Sequence, residues 1–200
     1  MIYRKANDTS LLQYRPSTDE TVDRDSFIEN SVAWLTIDNT NIDYPVMQGI
    51  DNTEYINTDP YGKYSMSGSI FLDCRNSPDF SDEYSLIYGH HMEYGFMFGA
   101  LDKYLDKDYL KQHQTGALIT PDQTYDIRLF ATLEAPAEES AIFDPVDAPF
   151  RYIHAHAKIE LEYEKGKLLA LSTCKYPETS DRIIVFGILT PTTTERENNQ

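Results

Sequence analysis

Two hundred residues suffice for one domain with a sizeable core, and 40% hydrophobic with 25% charged residues describes a globular chain rather than a disordered one. A net charge of −16, from 33 acidic against 17 basic side chains, excludes a phosphate-neutralising nucleic-acid surface and electrostatic docking on an anionic membrane. Two cysteines are too few for a disulfide scaffold, so Cys74 and Cys174 read as free thiols, and the sequence shows no apolar run long enough to span a bilayer.

Residues 1–19 are polar and aperiodic and read as a flexible N-terminal segment. Asp23 to Asn30 is a candidate short helix, with Asp23 or Asp25 as its cap and Phe27 facing inward. Strand-like runs follow over Val32–Ile37, Ile42–Val46, Ser69–Leu72 and Ser85–Tyr88, the first two separated by the turn Asp38-Asn39-Thr40-Asn41. Phe98, Leu101, Tyr104 and Leu105 keep a helical spacing that Tyr109 and Leu110 extend. Ala117–Thr120, Tyr125–Leu133, Lys167–Ser172 and Ile183–Leu189 read as further strands. Between Glu134 and Gly166 lies a long connection with a helix near Phe150 to Ala157, and such a length in a β-rich chain is usually functional. About eight short strands predict a mainly β fold, a closed barrel with peripheral helices, in one domain that ends in a polar tail over residues 191–200.

Cys174 stands where the run Leu168-Leu169-Ala170-Leu171-Ser172-Thr173 gives out, and Arg182 opens the next apolar run. A thiol and a guanidinium would thus meet at the mouth of a strand pair. A fixed positive charge favours the thiolate, which is the attacking form. The bland alternative is a small buried hydrophobe. A thiol nucleophile also needs a proton shuttle, and His90, after an apolar strand and Gly89, is the best placed of five histidines. His91 would point the opposite way, and His113, among Lys111, Gln112 and Gln114, reads as solvated surface. His154-Ala155-His156 invites a metal reading, but two-residue spacing diverges around a helix and no further ligand completes a tetrahedral set. No metal or cofactor is expected.

These residues resemble a known family. Ser85-Leu86-Ile87-Tyr88-Gly89-His90-His91-Met92 with Met97-Phe98-Gly99, then Leu171-Ser172-Thr173-Cys174, then Arg182, resemble the sortases. Val32-Ala33-Trp34-Leu35-Thr36-Ile37, Asn41-Ile42-Asp43-Tyr44-Pro45-Val46-Met47-Gln48-Gly49 and Gly68-Ser69-Ile70-Phe71-Leu72-Asp73 are similar to class B members. The resemblance implies an eight-stranded barrel with an N-terminal helix and a helix in the long loop before the nucleophile strand. It places the catalytic domain at residues 20–190. It implies a cysteine transpeptidase of the Gram-positive cell surface, held at the outer face of the membrane by an N-terminal segment not in this sequence. Cys174 would be the nucleophile, His90 the acid/base and Arg182 the cationic stabiliser. Partners would be the sorting signal of a surface protein or pilin, cleaved after Thr, and an amine from a peptidoglycan precursor or a pilin Lys. Ser172, Thr173 and Tyr88 are candidate substrate contacts; strand alternation lets only one of the first two face the groove. Asp181 or Asp73 could orient His90 as a third member. Rival readings are a cysteine peptidase that only hydrolyses, and a non-catalytic acidic β-barrel binding module. The second is weakened by the lack of an Asp-x-Asp-x-Asp-Gly calcium loop.

Overall fold

The computed structural model describes residues 9–16, 27–174 and 181–192, and at Cys174 the backbone. Among the described residues nine strands form: β1 Ser31–Ile37, β2 Asp43–Met47, β3 Ile70–Leu72, β4 Tyr84–Tyr88, β5 Thr115–Ile119, β6 Thr124–Pro136, β7 Ile159–Glu160, β8 Lys167–Cys174 and β9 Asp181–Pro191. Their order is β5-β1-β2-β3-β4-β8-β9-β6-β7, and a further β5–β6 pairing closes the first eight into a barrel. The two-residue β7 stays outside the ring, paired to β6 through Ala131–Glu160 and Thr132–Ile159. The expected eight-stranded closed barrel is therefore what the chain forms.

The barrel is buried on two sides where the site lies. Its interior packs Leu35, Val46, Leu72, Ile87, Leu129, Leu169, Leu171, Ile183 and Val185. On the outer face of β4, β8, β9 and β6, Leu86, Phe130, Leu133, Leu168, Ala170, Ile184 and Phe186 pack with Ile142 and Ile153. Ile142 comes from helix α2 (Ser140–Phe143) and Ile153 from α3 (Phe150–His156), both in the long connection between β6 and β8. Double coverage explains why β8 and β9 read as unbroken apolar runs rather than alternating ones.

Three elements depart from the sequence reading. The helical stretch after Phe98 splits into a 3-10 turn at Gly99–Leu105 and helix α1 at Lys107–Gln112. Asp106 causes the break: it leaves helical geometry, and its side chain accepts from the Asp108 and Tyr109 amides as an N-cap. The helix expected over Asp23–Asn30 begins outside the described residues, and Phe27–Asn30 form a bend and turn with Asn30 at φ 66°. Earlier among the described residues is a 3-10 turn at Thr9–Tyr14, whose Leu11 packs with Ile28, Trp34 and Ile119. In the long connection α3 stands where the pattern put it, while α2 and β7 are additional. Among the described residues no helix is long and apolar enough to cross a membrane.

Candidate active site

Strand register brings the candidate residues together. β4 runs parallel to β8 with Tyr88 opposite Ser172, and the ladder continues past the strand through Gly89 N donating to Ser172 O at 3.1 Å. β8 runs antiparallel to β9 with Cys174 opposite Arg182. His90 follows two residues after Tyr88 and Cys174 two residues after Ser172, so positions 90, 174 and 182 fall at the ends of three neighbouring strands. Gly89 is needed at these ends: a Cβ there would lie 2.4 Å from Ile70 Cδ1 and 2.8 Å from Phe98 Cδ2.

A cavity of about 430 Å³ opens over these ends, bordered by Asn52, Ile56, Tyr88, His90, Phe143, Ser172, Thr173 and Arg182 among others. A second cavity of about 60 Å³, between Tyr44, Tyr61 and Met97, is bordered by no cysteine or histidine. His90 Nε2 lies 2.7 Å from the carbonyl oxygen of Ile56. A carbonyl only accepts, so in this contact Nε2 carries a proton and Nδ1 is the other exchanging nitrogen. Ser172 Oγ and Thr173 Oγ1 are buried with no hydrogen-bond partner among the described residues. Both residues border the cavity. Alternation sends their hydroxyls to opposite faces, but a strand-end residue can also reach the cavity through its backbone.

Neither proposed aspartate is the observed partner of His90. Asp181 is exposed, at the start of β9 opposite Pro136. Asp73 is fully buried and occupied elsewhere. Its Oδ1 accepts from the Arg75 amide at 3.0 Å and from Arg75 Nε at 2.8 Å. Its Oδ2 accepts from Arg75 Nη2 at 2.8 Å, Tyr88 Oη at 2.9 Å and Asn52 Nδ2 at 2.9 Å. Burial alone would raise its pKa, but the Arg75 and Tyr88 bonds outweigh that and hold the carboxyl below its ordinary value. The Tyr88 hydroxyl is pushed far above the ordinary tyrosine range by burial first and then by the Asp73 charge it binds, so it stays a donor.

The remaining histidines lie apart from these strand ends. His91 Nε2 meets Asp102 at 2.6 Å. His113, expected on solvated surface, is half-buried and stacked on Tyr109 at 3.9 Å between ring centroids. His154 and His156 are exposed on α3, where His154 meets Glu160 at 3.0 Å. Among the described residues no three metal-type side chains converge. Cys74 is a free cysteine, half-buried beyond β3. Asn52, Ile56 and Phe143 border the cavity without having been singled out in the sequence. Asn52 and Ile56 come from a loop and Phe143 ends the four-residue helix α2, segments too irregular or too short for a periodicity to mark an inward face.

Comparison with known proteins agrees with this architecture. The sortase domain model matches residues 35–190. The chain is 40% identical over 182 residues to sortase B of Listeria monocytogenes, covering 86% of this chain and 74% of that protein. It is 27% identical to sortase B of Staphylococcus aureus, covering 78% and 68%. The solved class B sortase of Streptococcus pyogenes involved in pilus biogenesis matches at TM-score 0.73 and 37% identity, over 80% of this chain and 92% of that one. The Staphylococcus aureus sortase B–substrate complex shares the fold at TM-score 0.80 and 23% identity, over 96% and 95%. These matches define a closed-barrel cysteine transpeptidase. The chain belongs to the sortase family, and within it to the class B enzymes, which anchor surface proteins or pilins.

Proposed function

We propose that this enzyme cleaves a sorting signal after Thr and passes the acyl group to an amine of the cell wall or of a pilin, at the outer face of the membrane. Cys174 is the nucleophile, His90 the acid/base and Arg182 the cationic stabiliser. The observation that carries the reading is the meeting of strand ends: Cys174 directly opposite Arg182, and His90, two residues past the end of neighbouring β4, bordering the same cavity as Arg182.

The chemistry follows in two halves. The Cys174 sulfur attacks the Thr carbonyl carbon, a C–S bond forms, and the carbonyl oxygen takes the negative charge. Arg182 donates to that oxyanion or to the adjacent substrate backbone, and losing one such donor typically costs about 3 kcal/mol of transition-state stabilisation. The C–N bond then breaks, and the leaving amine takes its proton from His90. With Nε2 committed to Ile56 O, Nδ1 is the nitrogen that carries this proton. An incoming amine attacks the thioester and gives a proton back to His90; the C–S bond breaks, the new amide forms, and Cys174 leaves as the thiolate beside protonated His90. Ser172, Thr173 and Tyr88 serve as substrate contacts; of the first two, one offers a buried hydroxyl with no partner among the described residues and the other, its side chain on the opposite face, its backbone.

A library of Thr-containing sorting-signal peptides, offered with and without a glycine peptide as amine, tests this. Mass spectrometry is expected to find a thioacyl adduct on wild-type enzyme and an amide product with the amine. Cys174→Ala is expected to give neither. Turnover retained in that variant would end the reading, and an acid product in the presence of amine would favour the hydrolase.

A further inference from the structure

Three walls of the cavity come from different parts of the chain. Asn52 belongs to the loop that also supplies the Ile56 carbonyl, Tyr88 ends β4, and Phe143 ends α2. Two of the three, Asn52 and Tyr88, donate directly to Asp73 Oδ2. The third is reached through Arg75, whose Nη2 donates to the Phe143 carbonyl at 2.7 Å and whose Nη1 meets Asp144 Oδ1 at 3.2 Å. The same guanidinium grips both oxygens of Asp73 through Nε and Nη2. The walls also touch one another: the Tyr88 ring stacks on Phe143 with centroids 6.5 Å apart and meets Phe71 in a tilted pair at 5.3 Å. The Asn52 loop is fixed a second time, by Cys74 N donating to Asn52 Oδ1 at 2.8 Å.

We propose that Asp73 and Arg75 are positioning residues that hold the three groove walls at one spacing around the substrate, with Arg75 setting where α2 and Phe143 sit. The inference rests on the transpeptidase reading of this cavity. Neither residue borders the cavity, and neither bonds His90. They act on how the peptide is held rather than on sulfur chemistry. A planar fork suits the task, because it can bind a carboxylate on one edge and a carbonyl on the other; an ammonium can supply the charge without that geometry. Arg75 is also the accessible half of the pair, with its side chain 47% exposed against 0% for Asp73, so it can be changed with less risk to the core.

Wild-type turnover with the peptide library is established first, and that step decides the transpeptidase reading by itself. Arg75→Gln and Arg75→Lys are then compared with wild type in three measurements: peptide kinetics, the rate of Cys174 alkylation by iodoacetamide, and thermal melting. For Arg75→Gln the peptide KM is expected to rise about tenfold while kcat stays within about threefold, the pattern of lost substrate holding rather than lost chemistry. Alkylation by so small a reagent needs no groove wall and is expected to stay within about twofold of wild type. Arg75→Lys is expected to recover part of the KM, since it keeps a charge beside Asp73. An unchanged KM in Arg75→Gln, or a fall in kcat with KM unmoved, overturns the proposal. If Arg75→Gln melts below the assay temperature, Arg75→Lys decides instead, and a wild-type KM there overturns it.

Discussion

Replacing Asp73 by Asn tests the buried network at its centre. The carboxylate accepts five hydrogen bonds, two on Oδ1 and three on Oδ2. An amide keeps one oxygen and turns the other into a donor. If the nitrogen takes the Oδ2 place it faces Arg75 Nη2, Tyr88 Oη and Asn52 Nδ2; if it takes the Oδ1 place it faces the Arg75 amide and Nε. Either way at least two donors lose their acceptor, at about 1–3 kcal/mol each for the buried ones on Oδ2 and less for those of the half-exposed Arg75, which keeps Asp144 but loses its buried counter-charge. The expected destabilisation is on the order of 3–5 kcal/mol, or a fall in melting temperature of roughly 6–20 °C for a chain of this size. The pH dependence has a definite sign. A carboxyl whose pKa is lowered by folding adds stability above its unfolded pKa, about 3.9, and that stability is lost as pH falls through the folded value. Asp73 is held low in this way. The gap between wild type and Asp73→Asn is therefore expected to be full at pH 7 and to narrow in acid. Urea unfolding of both proteins at several pH values measures it. A gap under about 1 kcal/mol at pH 7, or one that widens in acid, would refute the reasoning.

Ser172→Ala should separate stability from function. Its hydroxyl is buried and unpartnered among the described residues, so removing it is expected to leave unfolding stability unchanged or raised by up to about 1 kcal/mol. If that hydroxyl bonds the substrate, kcat/KM is expected to fall about tenfold; a clear loss of stability with full activity would show the serine to be structural. Arg182→Lys keeps the charge opposite Cys174 and loses the fork, and kcat/KM is expected to fall on the order of a hundredfold with little change in melting. Near-wild-type kinetics would show that Arg182 only supports the strand pair.

The strands that carry the site were legible because each is an apolar run with a defined end. Burial on both faces made β8 and β9 continuous, and Cys174 and Arg182 stand where those runs stop and start, which is why their pairing could be anticipated before the register was seen. The walls were not legible in the same way. Asn52 sits in an irregular segment and Phe143 ends a helix of only four residues, and what fixes them is a carboxylate 21 residues from one, reached from the other through Arg75, 68 residues away. No periodicity records such bonds. Asp73 is legible as one of two acids that could orient His90, but its carboxylate binds Arg75, Tyr88 and Asn52 instead. It lies one residue past β3, where its amide bonds the Leu86 carbonyl, and from there its carboxylate reaches the Tyr88 hydroxyl rather than the His90 ring. The observed partner of that ring, a backbone carbonyl, has no sequence signature, since every residue carries one. A search for a third side chain in this site would always favour an acid, because acids can be seen in a sequence. The geometry instead lets the acid fasten the groove while the Ile56 carbonyl holds the imidazole, which divides positioning of substrate from positioning of the proton carrier.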